Sequence, residues 1–394
     1  MHTHSVSLPT GSLFRLARDI FVEELTRSRR DSFSPSEAAD WTPDSTLDAG
    51  GLALDSLERF TLAARLNEQF HLYESGVEDN LLRAKTLGDT VEVIAAGRDV
   101  AGTHISFFSG GTTGEARVVT HRLADLQREA DELAKILGPA GRVIVTVPVH
   151  HIYGFIFGVL LPDALAAAVV DAQHSLLGGA ARPHSGDIVV SVPFLWQRLP
   201  VASWGGGVRG TSSTAPLDPA TAGRLGAGMR QLLEVYGSSE TSGVGRRDHA
   251  ASPDEPPPFT LLSRWQRRDD HLLDTWSDPP LTVEPPDHLD WVDDRRFLPR
   301  GRRDAVVQVG GLNVDLEQLR ERVKVLIPEA DDLALRPDGS GRIRLFLAGD
   351  VDQLPDDAEL RRRLASELDA AALPSSVARG PHLPRTAMGK LADW

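Results

Sequence analysis

The sequence predicts an α/β chain in three parts: a helical section, a larger α/β section, and a small α+β section at the far end. Length is the first reason, because 394 residues exceed what one ordinary hydrophobic core spans, so two or three domains are expected. Periodicity is the second. Apolar residues recur at helical spacing through residues 12–97, whereas beyond residue 101 short, wholly apolar runs of the buried-strand kind alternate with helical stretches. Composition is the third, since 41% hydrophobic and 25% charged residues describe a chain that packs a core and keeps a polar surface.

In the first section, residues 1–100, Leu13, Leu16, Ile20, Phe21 and Leu25 share one helical face, and Leu62, Leu66 and Phe70 repeat every four residues on another. A loop rich in Ser, Pro, Asp and Gly, residues 31–51, joins the two. In the second section, residues 101–302, strands are expected at 105–108, 143–147 and 187–192, with a helix over 122–137. The proline-rich stretches 253–258 and 279–286 mark irregular connections. In the third section, residues 303–394, short strands at 305–309 and 343–347 alternate with helices at 316–326 and 358–368, the pattern of a small lid. No long internal repeat is visible.

Charge and residue usage exclude several classes. A net charge of −14 argues against nucleic acid as a partner, because phosphate backbones need clustered Lys and Arg. No cysteine is present, so neither a disulfide framework nor a cysteine nucleophile is expected. Residues 1–10 lack the basic and apolar pattern of a signal peptide, and no apolar run approaches about 18 residues, the length of a membrane span. A cytoplasmic enzyme with no membrane partner is the expectation.

Four motifs carry chemistry. Ser109-Gly110-Gly111-Thr112-Thr113-Gly114-Glu115-Ala116-Arg117 is a loop of glycines and hydroxyls, small enough for its backbone to approach phosphate oxygens and rich in donors to bind them. Alone it would be read as a surface turn. It is followed by Tyr236-Gly237-Ser238-Ser239-Glu240, by Gly301-Arg302-Arg303-Asp304, and by Pro384-Arg385-Thr386-Ala387-Met388-Gly389-Lys390. In that order the four resemble the adenylate-forming superfamily, the AMP-binding acyl- and aryl-CoA synthetases and their relatives. The resemblance implies an ATP-dependent ligase that turns a carboxylic acid, aromatic or fatty, into an acyl-adenylate and passes the acyl group to a thiol. It also implies the fold: a truncated adenylate-forming large domain at 101–302 and a mobile C-terminal lid at 303–394.

The same resemblance assigns roles. Ser109, Gly110, Gly111, Thr112, Thr113 and Gly114 would hold the β- and γ-phosphates, with Thr112 and Thr113 the main hydroxyl donors. Arg117 stands where the family often has lysine, and its forked donors suit phosphate oxygens. Tyr236 would stack on adenine beside Gly237, Ser239 would bond the α-phosphate, and Glu240 would be the catalytic magnesium ligand. Asp287, fourteen residues before Gly301, would take the ribose hydroxyls, with Asp290 a nearby rival. Arg302 would contact the nucleotide and Asp304 would be the hinge. Lys390 would bridge the α-phosphate and the acyl carboxylate, offsetting charge in the adenylation step.

Two further segments fill out the likeness. Pro148-Val149-His150-His151-Ile152-Tyr153-Gly154 resembles the motif at the acyl pocket, with His151 preferred as the pocket residue; the alternative is one packed and one solvent-facing histidine. Its run into Phe155–Leu161 looks closest to ligases loading aromatic acids. Ser212-Ser213-Thr214-Ala215-Pro216-Leu217 matches the small-residue wall beside adenine, with hydroxyls where glycines are commoner. Gln308 and Asn313 replace the basic residues of the turn after the hinge, which weakens that turn as a holder of CoA phosphates.

The helical section carries its own pattern. Asp55-Ser56-Leu57 opens a helix, Thr86-Leu87-Gly88-Asp89 begins the last one, and seventeen acidic against ten basic residues give residues 1–100 a charge of −7. This resembles an acyl carrier protein, in which Ser56 would bear a phosphopantetheine arm added by a phosphopantetheinyl transferase. The plainer reading is helix capping. The adenylating part is about 290 residues long, and the resemblance implies a further segment of roughly 100 or more residues before the phosphate loop, where the carrier-like section stands; either the large domain is trimmed or residues 1–100 are not a separate carrier. The leading expectation is transfer to the phosphopantetheine thiol of a carrier, in cis or in trans. The alternatives are a ligase using free CoA and a non-catalytic scaffold built on such a ligase. A trimmed large domain would also expose apolar surface suited to a homodimer.

Overall fold

The structure, a computed structural model, describes residues 6–29, 32–110, 116–173, 181–204, 206–249, 256–303, 306–309, 312–337, 342–368, 372–386, 389–392 and 394. Contacts divide the chain into two compact units, the first being Met1–Ser109, Val118–Trp265 and Thr275–Pro279, the second Gly110–Arg117, Gln266–Asp274 and Pro280–Trp394.

The first unit begins with α1 (Thr10–Arg29), α2 (Ser56–Phe70) and α3 (Leu87–Ala101). Local chemistry sets where they start. The Asp55 carboxylate accepts the Glu58 N–H at 2.8 Å, and the Glu58 side chain accepts the Asp55 N–H at 3.2 Å, a reciprocal cap of about 1 kcal/mol. Thr86 and Asp89 form the same box at α3, at 3.0 and 3.1 Å. Both carrier-like sequence patterns thus have a local use in starting helices. Ser56 is the first residue of α2 and is exposed.

β1 (His104–Gly110) pairs with β2 (Ala116–Arg122) in a two-stranded ribbon, and α4 (Leu123–Leu137) follows, burying Leu126, Ala130, Leu133 and Leu137 on one face. Then come β3 (Arg142–Val145), α5 (Ile152–Phe155), α6 (Leu161–Ala164) and β4 (Ala168–Asp171). They are followed by β5 (Ile188–Val190), α7 (Pro193–Trp196), β6 (Arg209–Ser212), α8 (Pro219–Gly228), β7 (Gln231–Ser238), β8 (Ser242–Asp248) and β9 (Phe259–Leu261). In this unit the strands lie in the order β9-β8-β7-β6-β5-β3-β4. Neighbours from β4 to β7 are parallel, and β8 and β9 add antiparallel pairings. Parallel neighbours require crossovers, and the intervening helices supply a core in which Ile144, Val189 and Leu232 meet Trp196, Trp204 and Leu225. β3 and β5 are shorter than the apolar runs suggested, because the chain turns out of the sheet after Val145 and Val190 to build loops.

Buried polar contacts tie the helical section to this sheet. Arg18 pairs with Asp171, and Asp19 Oδ2 accepts the Val149 N–H at 2.8 Å and Gln173 Nε2 at 3.0 Å. Gln69 Nε2 donates to the His150 carbonyl at 3.1 Å. These contacts fix the loop after β3 from the helix side.

In the second unit, β10 (Trp265–Arg268), β11 (His271–Asp274) and β12 (Leu281–Val283) form a three-stranded sheet. β13 (Asp287–Trp291) pairs antiparallel with β14 (Arg296–Arg302), and β15 (Val306–Val309) with β16 (Leu312–Asp315). α9 (Leu316–Leu326), β17 (Asp332–Pro337), β18 (Ile343–Ala348), α10 (Asp357–Glu367) and β19 (Ser376–Gly380) complete it. β17 is antiparallel and β19 parallel to β18. Alternation sends Leu333, Ile343, Leu345 and Leu347 into one core with Leu319, Val323, Leu360 and Leu364 of the two helices. The α+β pattern expected of the last section is present.

Candidate active site

The Tyr236–Glu240 motif forms a tight turn between β7 and β8. Gly237 is required there by space: a Cβ would stand 2.0 Å from the Ser242 carbonyl oxygen, where the register of the two strands shifts. The turn is cross-tied by the Ser238 N–H and hydroxyl, each 3.1 Å from Thr241 Oγ1. Tyr236 is half-buried with its ring 5.6 Å from that of Phe259, Ser239 is half-buried, and Glu240 is exposed. An exposed carboxylate fits Mg²⁺, a hard cation that keeps several of its own waters.

Two buried side chains that sequence reading missed hold this turn from behind. His121 of β2 places Nε2 2.7 Å from the Ser239 carbonyl, and burial, the largest influence on it, lowers the imidazole pKa. Glu129 of α4 accepts the Ser242 hydroxyl at 2.7 Å and the Gly243 N–H at 3.1 Å. Burial pushes its carboxyl up to about 7, against the opposing pull of those donors and of Arg264. Ser242 sits at φ +59, a left-handed conformation that a β-strand residue adopts at a cost, and Glu129 bonds its side chain. The signal was present: Glu129 lies three residues after Leu126 and four before Leu133, on the apolar face of α4, where a carboxylate needs partners.

His151 stands at the opening of α5. Gly154 is again a matter of space, its notional Cβ lying 2.0 Å from the Pro148 carbonyl oxygen. His150 is buried and His151 half-buried, with ring centroids 4.1 Å apart. Glu23 of α1 reaches both, at 3.2 Å from His150 Nε2 and 4.0 Å from His151 Nε2. Burial would raise the Glu23 pKa, but contact with His150, then the charges of His151 and Arg65, hold it well below the carboxylate range. These three groups place one ligand atom each within 4.8 Å of one another. Arg65 also donates to Glu23 at 3.0 Å, so the carboxylate is already engaged by a guanidinium, which opposes a second cation there. Tyr153 is a core residue: its hydroxyl donates to the Ser191 carbonyl at 2.9 Å and lies 2.8 Å from Thr211 Oγ1. Of the wall after β6, Ser213 donates to the Val235 carbonyl at 2.8 Å, and Thr214 stands at φ +81.

In the second unit, Asp287 opens β13, half-buried, with Arg302 as its register partner on β14. The rival Asp290 is exposed and occupied by Arg300 at 2.7 Å. Arg117 is exposed on β2, and Gly110 ends β1. Lys390 is exposed on a small hairpin in which the Thr386 N–H donates to the Lys390 carbonyl at 2.8 Å and the Gly389 N–H to the Thr386 carbonyl at 2.8 Å. Gly111, Thr112, Thr113, Gly114 and Asp304 lie outside the described residues, as do the side chains of Ser109 and Arg302. The structure therefore brings together Tyr236, Gly237, Ser239 and Glu240 on one turn, and His151 with His150 and Glu23.

Comparison with known proteins gives a consistent assignment. The AMP-binding enzyme family matches residues 61–262, starting inside α2 and so within the helical section. A protein named 4-coumarate–CoA ligase from Halorhodospira halophila is 38% identical over 397 residues, spanning 98% of this chain and 99% of that one. Another of that name, from Rhodobacter capsulatus, is 35% identical, spanning 93% and 96%. Both alignments thus run nearly end to end and include the helical section of this chain. Among solved structures, ATP-bound MatB from Rhodopseudomonas palustris superposes with a TM-score of 0.57 at 15% identity, covering 97% of this chain and 91% of that one, which speaks to the fold. The chain belongs to the AMP-binding enzyme family and is an adenylate-forming acid–thiol ligase.

Proposed function

We propose that the chain activates an aromatic carboxylic acid of the 4-coumarate kind with ATP and transfers the acyl group to the thiol of CoA. The observation that carries this is the 38% identity, over nearly the whole of both chains, to a relative bearing that activity in its name. The acid's oxygen attacks the α-phosphorus and pyrophosphate leaves; the thiol sulfur then attacks the acyl carbon, and AMP leaves as the thiol proton is lost. In this reading Tyr236 stacks on adenine, Ser239 meets the α-phosphate and Glu240 holds magnesium, whose charge offsets that of the phosphates. Asp287 and Arg302, register partners on β13 and β14, hold ribose and nucleotide. Residues 109–114 with Arg117 take the outer phosphates, His151 faces the acid, and Lys390 bridges acid and α-phosphate. Residues 303–394 act as a lid turning about Asp304 between half-reactions.

A second reading keeps the carrier. Ser56 is exposed at the start of α2, beside Leu57 and Phe60, which are 73% and 64% exposed on the following turn. A serine so placed is accessible to a phosphopantetheinyl transferase, and the arm it would bear could accept the acyl group in cis.

One assay separates these. AMP release is followed for 4-coumarate, other aromatic acids and fatty acids, with CoA, without it, and with the chain pretreated with transferase and CoA. CoA-dependent turnover with an aromatic acid is expected. Preference for a fatty acid would overturn the substrate class. Acylation of a phosphopantetheine mass on the chain, abolished in Ser56→Ala, would replace CoA by the carrier.

A further inference from the structure

The sheet of β17, β18 and β19 has a second face, and what covers it has a consequence for Lys390. Alternation places Ala334 and Arg336 of β17, with Arg344, Phe346 and Ala348 of β18, on the side away from α9 and α10. Arg336 and Arg344 are direct partners across the two strands. Like charges directly opposite one another destabilise a sheet unless something between them compensates.

The segment after Pro384 supplies that compensation. Trp394 packs edge-on against Phe346, ring centroids 5.7 Å apart, over the trough left by the two alanines. The guanidinium carbons of Arg336 and Arg344 lie 4.9 and 5.3 Å from the Trp394 ring centroid, within cation–π range. Arg336 Nη2 also donates to the Leu391 carbonyl and Arg344 Nη1 to the Trp394 carbonyl, each at 2.5 Å. Leu391 is the residue after Lys390 and pairs across the hairpin with Arg385, whose Nη1 donates to the Gly389 carbonyl at 2.8 Å. The Ala392 N–H closes the hairpin on the Pro384 carbonyl at 2.9 Å.

We propose that Arg336, Arg344 and Trp394 form a clamp that positions Lys390 for the adenylation half-reaction. Each is a positioning residue, holding backbone on the C-terminal side of Lys390 while its side chain stays exposed. The clamp rests on the reading of Lys390 as the lysine of that step. A long, flexible side chain gains aim when its backbone is fixed, and a misplacement of about 1 Å can cost about 100-fold in rate.

The test is Trp394→Ala, with Trp394→Phe as the variant that keeps a π-face, each also placed in a Lys390→Ala background. Adenylation is read by ATP–pyrophosphate exchange with the accepted acid, and thiol transfer by consumption of separately prepared acyl-adenylate with CoA. Trp394→Ala is expected to lower the exchange kcat between about 10- and 100-fold, with the larger effect on kcat than on KM for ATP. Transfer should stay within about twofold, Trp394→Phe should recover most of the loss, and Trp394→Ala should have no further effect once Lys390 is gone. Equal loss in both half-reactions would mean general damage to this unit and would overturn the clamp. Unchanged exchange in Trp394→Ala, with exchange lost in Lys390→Ala, would overturn it while leaving Lys390 in place. Unchanged exchange in Lys390→Ala would remove the reading of Lys390 and the clamp with it.

Discussion

The turn at residues 236–240 and the hairpin that carries Lys390 are held by opposite means. The turn is anchored from the interior: a buried carboxylate, Glu129, and a buried imidazole, His121, bond its backbone and the strained Ser242 behind it. The hairpin is anchored near the surface by two arginines and an indole that grip backbone carbonyls and a ring. Buried titratable groups make strong but proton-dependent anchors, because burial shifts their charge states. Arginines keep their charge at every accessible pH. The first anchor should therefore respond to pH, and the second to loss of contact area.

The largest expected effect falls on the hairpin. Lys390→Ala should cut pyrophosphate exchange by at least about 100-fold, the scale of one lost electrostatic contact in a transition state. Rate loss confined to thiol transfer would reverse the proposed division of labour. Gly237→Ala comes next and tests the turn. A methyl 2.0 Å from a backbone oxygen cannot be accommodated without opening the β7–β8 pairing. The variant should lose about 1–3 kcal/mol of stability, the cost of overpacking, and bind ATP more weakly, as read by denaturant unfolding and nucleotide titration. Full stability would show that the turn is not rigid.

The smallest effect is the most diagnostic of the contrast. Glu129 has a folded-state pKa raised from 4.5 to about 7, so between those values the folded protein holds a proton that the unfolded chain has lost. Its contribution to stability must then fall as pH rises through that window, by an upper figure of roughly 3 kcal/mol. Glu129→Gln removes the titration while keeping an acceptor for one of its two donors. Unfolding at pH 5 and pH 8 should show a smaller stability difference for the variant than for the parent. Equal differences would mean that Glu129 does not titrate in the fold. Trp394→Ala should leave the pH difference as it is in the parent.

Much of the molecule could be read in advance where the signal was local. The helix at 316–326 is predicted and found with the same ends, because its apolar spacing and flanking residues are all within one segment. The Asp55 and Thr86 caps were legible for the same reason, each box closing over three residues. Motif order pointed to the family, since glycines, hydroxyls and a lysine in sequence encode chemistry that any fold of that family must present. The hidden part was whatever joins distant segments. Nothing local announces that Glu23 of α1 meets His150 and His151, or that Arg336 and Arg344 face each other across two strands.

The sequence by itself determined the α/β class, the elements with strong local periodicity and the residue types at each motif, because propensity, capping and spacing act over a few residues; strands such as β2, β4 and β12 were not legible in it. It also set Gly154 and Gly237 inside two of the motifs, with no reason for a glycine at either place. Only the tertiary structure supplied the reason, namely a carbonyl 2.0 Å from where each side chain would be. It alone decided which carboxylates are solvated, like Glu240, and which are buried and shifted, like Glu129. The physical cause is that desolvation and pairing depend on neighbours brought in from far along the chain, and a linear sequence carries neither their distance nor their dielectric.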